Sequence, residues 1–298
     1  MPTNYDEITR ENTIKYGTNV NVYGPLLLAK LYSDRTHFIY ELLQNAEDAK
    51  ATWVNFSLFK DKLEFKHNGR LFNVNDVKGI CRIAESTKKD DSAQIGKFGI
   101  GFKSVFAYTN TPKIFSGDES FCIMNYVHPR KIEKEKIKDN ETLFVFPFNH
   151  NEVSSDKAFE EISKRLQKLG SRILLFLNNI DGIKWEIENE EFGGIYTRKI
   201  LSKKKNLRTV QVSSELKDNA QEEKGKWIIF ERPTESDGAT HKVEIAFKVD
   251  KKNTDAKKET KEVIVPVDDS YLVVFFPTEK ETHLNSNSLL NFKSLLKE

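Results

Sequence analysis

The sequence has few cysteines and no long apolar run, and each scarcity excludes a class of protein. Only two cysteines occur, Cys81 and Cys122, and they provide neither a disulfide framework nor the spacing of a zinc site. The longest apolar runs, residues 173–177 and 272–276, are far shorter than the about 20 residues needed to cross a bilayer. We therefore expect two buried thiols and no membrane span.

The chain also lacks a strong charge of either sign and an apolar leader. Lysine and arginine number 47 against 45 aspartates and glutamates, and a formal net charge of +2 does not demand a nucleic-acid or anionic-membrane partner. Two basic clusters, residues 198–208 and 251–261, lack interleaved aromatic residues, so solvated loops are favoured over nucleic-acid binding. Charged residues, including Asp6 and Glu7, come early in the chain, and the default expectation is a cytoplasmic location.

What the sequence does contain is a helical segment with a distinctive polar face. Glu41, Asn45 and Asp48 have the i, i+4, i+7 spacing that places side chains on one side of a helix. A solvated helix face is the ordinary interpretation of three such residues. Asparagine is a poor helix former, however, so Asn45 in mid-helix needs another reason. Its amide oxygen suits Mg²⁺, and Glu41 one turn earlier can orient a water for attack on phosphorus.

A glycine-rich segment follows about fifty residues later. Gly96, Gly99 and Gly101 leave the backbone uncrowded, so that amide groups can approach phosphate oxygens at the start of a predicted helix. The G-x-x-G-x-G spacing is neither a Rossmann fingerprint nor a Walker A loop, and a flexible surface loop is the alternative. Lys97 and Lys103 could reach phosphates or could be solvated lysines, and Lys103 is slightly favoured.

Together the two motifs resemble the Bergerat-fold (GHKL) ATPases, most closely the Hsp90 branch and its sacsin-type Hsp90-like proteins. The sequence I-G-K-F-G-I-G-F-K at 95–103 is typical of that type, and the resemblance covers residues 20–187. It implies ATP and Mg²⁺ as ligands, with Glu41 as the general base and Asn45 as the metal ligand. The further ligand-binding residues that it implies are Asp48, His67, Asn68, Gly69, Gly96, Lys97, Phe98, Gly99, Gly101, Phe102, Lys103 and Thr142.

One departure from the family pattern concerns the adenine-binding motif. The family usually has Asp-x-Gly there, whereas this chain has His67-Asn68-Gly69. An aspartate accepts a hydrogen bond from the exocyclic amine of adenine. A neutral His67 can accept through one ring nitrogen, or a bridging water can do so, and the sequence leaves the tautomer open.

The resemblance and the residue pattern predict an α+β fold in two parts. Residues 1–187 are expected to be an Hsp90-like ATP-binding domain, a Bergerat-fold α/β sandwich in which helices cover a mixed, mostly antiparallel sheet. Residues 188–298 are expected to form a β-rich second domain, either complete or a truncated middle (transducer) domain. The chain shows no internal repeat, and its 298 residues are enough for two domains.

Periodicity and turn residues locate the elements. Helices are predicted at 32–50 and 285–298, and an amphipathic helix followed by a buried one at 155–177. A further helix is capped by Asn73 or Asn75, and the polar residues 86–95 form a mobile lid. The predicted strands are 53–59, 63–67, 114–126 and 141–148 in the first part, and 193–212, 226–231, 242–249, 262–266 and 270–277 in the second. Residues 130–140 are predicted as an exposed loop.

Three functions are compatible with these patterns. The first is slow Mg²⁺-dependent ATP hydrolysis with a nucleotide-gated lid, and the second is a nucleotide-dependent switch that does not hydrolyse. A histidine-kinase-like phosphotransferase is the weakest, because such kinases usually carry asparagine where Glu41 stands. The expected partners are another protein or further domains of a longer protein, or a second copy through residues 2–23. Chaperone, DNA-processing and bacterial defence roles are not distinguished.

Overall fold

The computed structural model describes residues 3–17, 34–83, 100–188, 192–217, 219–236, 239–254, 259–267, 271–274, 276–281 and 288–293. The chain divides into two compact units, Met1–Lys168 with Lys184–Gly193 and Leu169–Ile183 with Gly194–Glu298. The predicted domain boundary after residue 187 falls inside the segment Lys184–Gly193. The assignment of the two domains stays a prediction.

The α-helices of the first unit are α1 (Tyr5–Tyr16), α2 (Phe38–Asp48), α3 (Val74–Ile80), α4 (Ile100–Lys103) and α5 (Ser155–Gln167), with short 3-10 helices at Arg35–His37 and Ser104–Ala107. Three of the α-helices, α1, α3 and α5, begin after residues whose side chains accept hydrogen bonds from their free amide groups. Asn73 caps α3 in a capping box with Asp76. Of the two predicted caps, Asn73 and Asn75, the first is the one observed. Across the described ranges, none of the helices has the length and apolar character needed to cross a membrane.

The sheet of the first unit is built from hairpins. Its strands are β1 (Trp53–Leu58), β2 (Lys62–His67), β3 (Lys113–Ser116), β4 (Glu119–Met124), β5 (His128–Lys131), β6 (Thr142–Pro147) and β7 (Gly182–Ile187). Their order is β7-β1-β2-β6-β3-β4-β5, and neighbours from β1 to β5 are antiparallel. The stretch 114–126, predicted as one strand, is a hairpin because the backbone turns at Gly117, where φ is +60°. Strand β5 also begins the stretch predicted as an exposed loop.

Aromatic rings fill the core of the first unit between α2 and the sheet. The Phe38 ring lies 5.6 Å from the Tyr108 ring and 6.2 Å from the Phe146 ring, centroid to centroid. The Phe65 ring on β2 lies 6.0 Å from the Phe144 ring on β6. Aromatic contacts of this kind add to the burial of large apolar surfaces, so they fix α2 against the strands that carry the candidate site.

Helix α1 is attached to the β4–β5 end of the sheet by side-chain hydrogen bonds. The Thr9 hydroxyl donates to the Pro129 carbonyl at 3.0 Å, and the Tyr5 hydroxyl donates to the Glu119 carboxylate. Burial, with the Glu119 carboxylate second, raises the pKa of Tyr5. Because α1 has only a weakly apolar face, these polar contacts are what attach it to β4 and β5.

The second unit is rich in long antiparallel strands. It contains β8 (Gly193–Lys204), β9 (Leu207–Leu216), β10 (Asn219–Ser236), β11 (Ala239–Thr254), β12 (Glu259–Ile264), β13 (Tyr271–Val274), β14 (Phe276–Glu281) and β15 (Ser288–Lys293), with a 3-10 helix at Ser171–Leu175. The strand order is β14-β13-β15-β11-β10-β9-β8, β12 also pairs with β11, and β13 runs parallel to β15. The α+β fold class with a β-rich second part is therefore confirmed.

Two predicted helices differ from the structure. The amphipathic helix predicted from residue 155 ends at Gln167, and the buried helix predicted to follow it up to residue 177 is a 3-10 helix, Ser171–Leu175, because the chain is extended at Gly170 (φ −130°). The prediction of a helix at 285–298 is wrong for the described residues 288–293, which form strand β15 and pair antiparallel with β11. A row of inter-strand hydrogen bonds to an available edge outweighs the small differences in helix propensity of a short segment.

The described residues of the two basic clusters lie mostly in strands β8–β9 and β11–β12, not in the predicted loops, and residues 255–258 lie outside the described residues. Within the first, the Arg198 guanidinium is buried and lies 2.7 Å from the Asp181 carboxylate. Arg208 is likewise buried and lies 2.5 Å from the fully buried carboxylate of Glu244. Each buried guanidinium thus has a carboxylate partner, exposed at Asp181 and buried at Glu244, so these arginines serve the fold of the second unit.

The two cysteines have different surroundings. Cys81 is buried, and burial raises the pKa of its thiol to about 12. Cys122 is only half-buried, which corrects the expectation of two buried thiols.

Candidate nucleotide site

Helix α2 separates the predicted polar trio into two half-buried residues and one exposed residue. Its buried residues are Phe38, Ile39, Leu42, Leu43, Ala46 and Glu47. Glu41 and Asn45 are half-buried and lie one turn apart at the edge of the core, whereas Asp48 is exposed. Among the described residues none hydrogen-bonds to the side-chain amide of Asn45, so this oxygen donor is available to a ligand.

Gly101 lies directly against the carboxylate of Glu41. A Cβ atom added at residue 101 would stand 1.9 Å from Oε2 and 2.6 Å from Cδ of Glu41. Real Cβ atoms do not approach other atoms this closely, so a larger residue at position 101 would displace the carboxylate at the far end of the Glu41 side chain. The Nε2 atom of His37 lies 3.5 Å from the other carboxylate oxygen. The end of the glycine-rich segment and the candidate base are therefore neighbours in space.

The other predicted residues of this segment divide into two groups. Gly96, Lys97, Phe98 and Gly99 lie outside the described residues, as does the predicted lid at 86–95. Phe102 is buried, with its ring 6.0 Å from the Phe144 ring, and it belongs to the aromatic core.

The side chain of Lys103 does not have the role that the sequence favoured, which was contact with phosphate. Its ammonium group is buried and donates hydrogen bonds to the carbonyls of Ile80, at 2.6 Å, and Tyr126. Burial lowers the pKa of Lys103 to about 8. The side-chain amide of Asn12 on α1 donates to the carbonyls of the two residues that follow, Cys81 at 3.2 Å and Val127 at 2.7 Å. Lys103 thus joins α4 to the end of α3.

The turn after β2 is fixed against the end of α2. A Cβ atom added at Gly69 would lie 2.8 Å from the carbonyl oxygen of Ala49, so glycine is required here by close approach. Asn68 accepts hydrogen bonds from the amides of Thr52, at 2.9 Å, and Trp53, at 3.1 Å. The Asn68 amide group also donates to the Thr52 hydroxyl at 2.8 Å. The side chain that was predicted to bind ligand therefore holds the chain together at this turn.

His67, the last residue of β2, is buried with only 2% of its surface exposed. The backbone N–H of Gly69 donates to its Nδ1 atom at 3.0 Å. Burial lowers the pKa of His67 to about 4, so the ring is neutral at pH 7. Because an amide N–H can only donate, Nδ1 is the acceptor and the proton lies on Nε2.

Thr142 is the direct cross-strand neighbour of His67 in the β2–β6 pair. It is fully buried, and its Oγ1 atom lies 2.6 Å from Oγ of Ser116. Ser116 Oγ also accepts a hydrogen bond from the backbone N–H of Phe72 at 2.9 Å. The predicted threonine is therefore beside His67, with its hydroxyl engaged in a short chain of hydrogen bonds.

A small cavity connects α2, β2, α3 and β6. Its lining consists of Asn45, Ala49, His67, Arg70, Phe72, Asp76, Ile80 and Phe144. Its volume is about 20 Å³, which is enough for one water molecule. Of the predicted residues, Asn45 and His67 are brought together here, whereas Asp48 and Asn68 do not line the cavity. A cavity of this size is far smaller than the usual volume of a small-molecule pocket.

Arg70 and Asp76 form part of this lining and were not predicted. Two guanidinium nitrogens of Arg70 lie 2.6 and 2.8 Å from the two carboxylate oxygens of Asp76, in a bidentate pair. Burial opposes ionisation of Asp76, but hydrogen bonds from Arg70 and from the Asn73 N–H hold its pKa below the usual value. The sequence signal that could have identified this pair is the Asn73-x-x-Asp76 capping pattern, with Arg70 three residues before it.

The donors present fit a magnesium ion only in combination with a nucleotide. Within the part of the chain that the structure describes, no three His, Cys, Asp or Glu side chains form a metal site. Asn45 provides one hard oxygen donor at the cavity. Mg²⁺ keeps near-octahedral oxygen coordination and commonly takes phosphate oxygens and waters alongside one or two protein ligands. The arrangement is compatible with such a shared site.

The sequence is similar to a known domain family and to several known proteins. The Sacsin domain model matches residues 62–143, from β2 to the start of β6. Sacsin of Homo sapiens is 29% identical over 51% of this chain, and chaperone protein HtpG of Helicobacter pylori is 26% identical over 53% of it. Protein NO VEIN of Arabidopsis thaliana is 28% identical over 59% of this chain. The resemblance to sacsin-type Hsp90-like proteins is confirmed.

The sacsin-type resemblance covers a limited part of each relative. The chain spans 5% of sacsin, 7% of NO VEIN and 31% of HtpG. The Sacsin domain match contains His67, Arg70, Asp76 and Thr142, whereas Glu41 and Asn45 precede it. The match therefore includes the β2–α3 side of the cavity, and the α2 side rests on the geometry described above.

Proposed function

We propose that this protein binds a magnesium–nucleotide complex, with ATP as the nucleotide, and hydrolyses it slowly. The observation that carries the proposal is the contact between Gly101 and the Glu41 carboxylate, one helical turn from Asn45 at the cavity. A glycine-rich segment that meets a carboxylate and an amide is suited to phosphate, water and metal together. The similarity to Hsp90-like proteins supports nucleotide binding.

In this proposal the roles follow the chemistry of each group. Asn45 provides one oxygen ligand for Mg²⁺, which neutralises phosphate charge when bound. Glu41 accepts a proton from the attacking water. The base enters beside His67 and Thr142, and Phe144 provides an apolar wall. The predicted phosphate contacts of residues 96–99 and the predicted lid at 86–95 stay predictions.

A nucleotide-dependent switch that does not hydrolyse is the second candidate, and one observation favours it. Oε1 of Glu41 lies 3.5 Å from His37 Nε2, and Oε2 lies against Gly101. A base needs a free oxygen lone pair directed at water, so a carboxylate constrained on both sides is a poorer base. Such a switch would act on a protein partner, on further domains of a longer protein or on a second copy of the chain.

Two variants test the proposal, with calorimetry for nucleotide affinity and phosphate release for turnover. Asn45→Ala should abolish magnesium-dependent ATP binding because it removes the metal ligand. Glu41→Ala should bind ATP like the parent but lose turnover by roughly 10²–10⁴-fold. The matched controls are Asn75→Ala and Glu160→Ala, which truncate exposed residues on other helices.

The outcomes separate the two candidates. Parental affinity in Asn45→Ala refutes its role as the metal ligand, and parental turnover in Glu41→Ala refutes its role as the base. A parent that binds ATP without phosphate release supports the switch. Absence of binding by the parent refutes both functions.

A further inference from the structure

A second cavity of the first unit lies between the 3-10 helix Arg35–His37 and helix α5. Its volume is about 520 Å³, within the about 300–1,000 Å³ that is usual for small-molecule sites. The residues that line this basic cavity are Asp34, Arg35, Thr36, Tyr108, Lys157, Glu161, Lys164, Arg165 and Lys168. Five of them are cations and two are anions, so the lining has a net positive charge, and it shares no residue with the cavity beside Asn45 and His67.

Hydrogen bonds between its own residues fix one wall of the basic cavity. Tyr108 is buried, and its hydroxyl donates to Oε2 of Glu161 at 2.7 Å. The backbone N–H of Thr36 donates to Oδ1 of Asp34 at 2.8 Å. Arg165 donates from Nε to the Thr36 hydroxyl at 2.7 Å and pairs through Nη2 with the other oxygen of Asp34. Both carboxylates of the lining therefore already have donors from the protein.

Several cations of the basic cavity are left for a ligand. Arg35 and Lys168 are exposed, and no carboxylate of the described residues lies within 4.0 Å of the charged group of either. Lys157 is 55% exposed, and its contact with Glu161 on the same helix is long, at 3.9 Å. Exposed ion pairs are worth little in water, so a ligand with stronger acceptors can replace this contact.

The positions of these cations are not explained by α5 alone. A cation in the last turn of a helix offsets the helix dipole, which accounts for Lys164 and for Lys168 at the C-cap. Lys157 lies in the first turn, where the dipole disfavours a positive charge, and Arg35 belongs to a different helix. What the four cations share is the cavity that they line.

We infer that the basic cavity binds a small ligand with two or more phosphate groups, at a site separate from the proposed nucleotide site. Lys157 and Lys168 are eleven residues apart, which corresponds to about 16 Å along the helix axis and exceeds the reach of one phosphate group. Phosphate oxygens are strong acceptors for lysine and arginine, and each phosphate brings more than one negative charge. A ligand with several such groups neutralises cations at both ends of the cavity.

The lining favours a small ligand over a nucleic acid. Its aromatic residue, Tyr108, is only 1% exposed and offers no ring face on which a base could stack. Asp34 and Glu161 interrupt the cations, whereas a nucleic acid presents phosphates continuously along its length. A short ligand can contact the cations and avoid the two carboxylates.

The test measures binding of inorganic tripolyphosphate to the full chain by calorimetry, in the absence of magnesium. The parent should show saturable binding. Arg35→Gln/Lys168→Gln should bind roughly tenfold more weakly, because each exposed ion pair with the ligand is worth up to about fivefold in affinity. Both side chains are exposed, so this double variant should unfold at the same urea concentration as the parent.

Two controls separate the basic cavity from other sources of binding. Arg10→Gln/Lys131→Gln removes the same charge from exposed positions outside the cavity and should bind tripolyphosphate like the parent. Arg35→Gln/Lys168→Gln should bind the magnesium complex of ATP with parental affinity, because neither residue lines the cavity beside Asn45. An equal loss of ATP and tripolyphosphate binding would overturn the assignment of a separate site.

Other outcomes also decide the inference. Parental affinity for tripolyphosphate in Arg35→Gln/Lys168→Gln, an equal loss in the charge control, or no saturable binding by the parent would overturn it. Binding of a duplex DNA oligonucleotide that depends on Arg35 and Lys168, without binding of tripolyphosphate, would assign this surface to nucleic acid instead. A parent that binds tripolyphosphate here but does not bind ATP would support the inference and refute the proposed function.

Discussion

The replacement of Gly101 by alanine tests the contact on which the candidate site depends. The new Cβ atom would stand 1.9 Å from Oε2 and 2.6 Å from Cδ of Glu41, so the carboxylate or the backbone must move. Overpacking of a rigid core costs about 1–3 kcal/mol of stability, and the lower end of this range applies here because the displaced atoms are the end of the flexible Glu41 side chain. Because Gly101 lies in α4, alanine also returns up to about 1 kcal/mol through its higher helix propensity. The single variant therefore measures a mixture of two effects.

A double-mutant cycle isolates the contact. Glu41→Ala removes all three atoms that the new Cβ would meet, so Gly101→Ala should cost less in that background. The propensity contribution is the same in both backgrounds and cancels. We expect a coupling free energy of about 1 kcal/mol, above the about 0.5 kcal/mol within which independent sites add.

Urea unfolding followed by circular dichroism measures the four free energies. Gly170→Ala is the control, because a Cβ there meets nothing within 4 Å. Additive effects of Gly101→Ala and Glu41→Ala would show that the two residues are not in contact, and the argument for a joint phosphate and water site would lose its basis. If they couple, Gly101→Ala should also reduce ATP turnover, since the candidate base is displaced.

Three further predictions concern stability. Acid should destabilise the fold through His67: its native pKa of about 4 lies below the ordinary 6.5, so the unfolded chain binds the proton first. The free energy of unfolding by urea should fall by about 2 kcal/mol from pH 8 to pH 5, and an equal fall in His67→Asn contradicts this. Asn68→Ala should cost about 1–3 kcal/mol in the same assay, because the turn loses its hydrogen bonds; no loss would refute this role. Lys103→Met should cost about 2–4 kcal/mol on thermal unfolding because two buried carbonyls lose their donor, whereas the exposed Lys157→Met should not.

Much of the first unit could be predicted from local pattern. Strand β2 alternates buried and half-buried residues, and this period of two is visible in the sequence. The cap at Asn73 is equally local. The strand β15 could not be predicted, because a short polar–apolar segment has no strong preference and the deciding partner, β11, lies about fifty residues earlier.

The candidate site divides in the same way. Helical spacing was enough to place Glu41 and Asn45 together, because both lie on one element. The direction of Lys103 depends on carbonyls at Ile80 and Tyr126, contributed by two other parts of the chain. The tautomer of His67 depends on the turn geometry at Gly69. Such features arise from tertiary contacts, which residue types alone do not specify.

The attachment of α1 has a consequence for how the chain is made. Its hydrogen bonds to Glu119, Val127 and Pro129 join residues 114 to 120 positions apart, so the helix is synthesised long before its partners exist. At about 5–20 residues per second, the ribosome needs on the order of ten seconds to reach β5. During that interval α1 lacks a strongly apolar face, its first partners are the carbonyls of Cys81 and Ile83, and short isolated helices are marginal in water. The attachment of α1 to the sheet is therefore completed only after β5 has been synthesised.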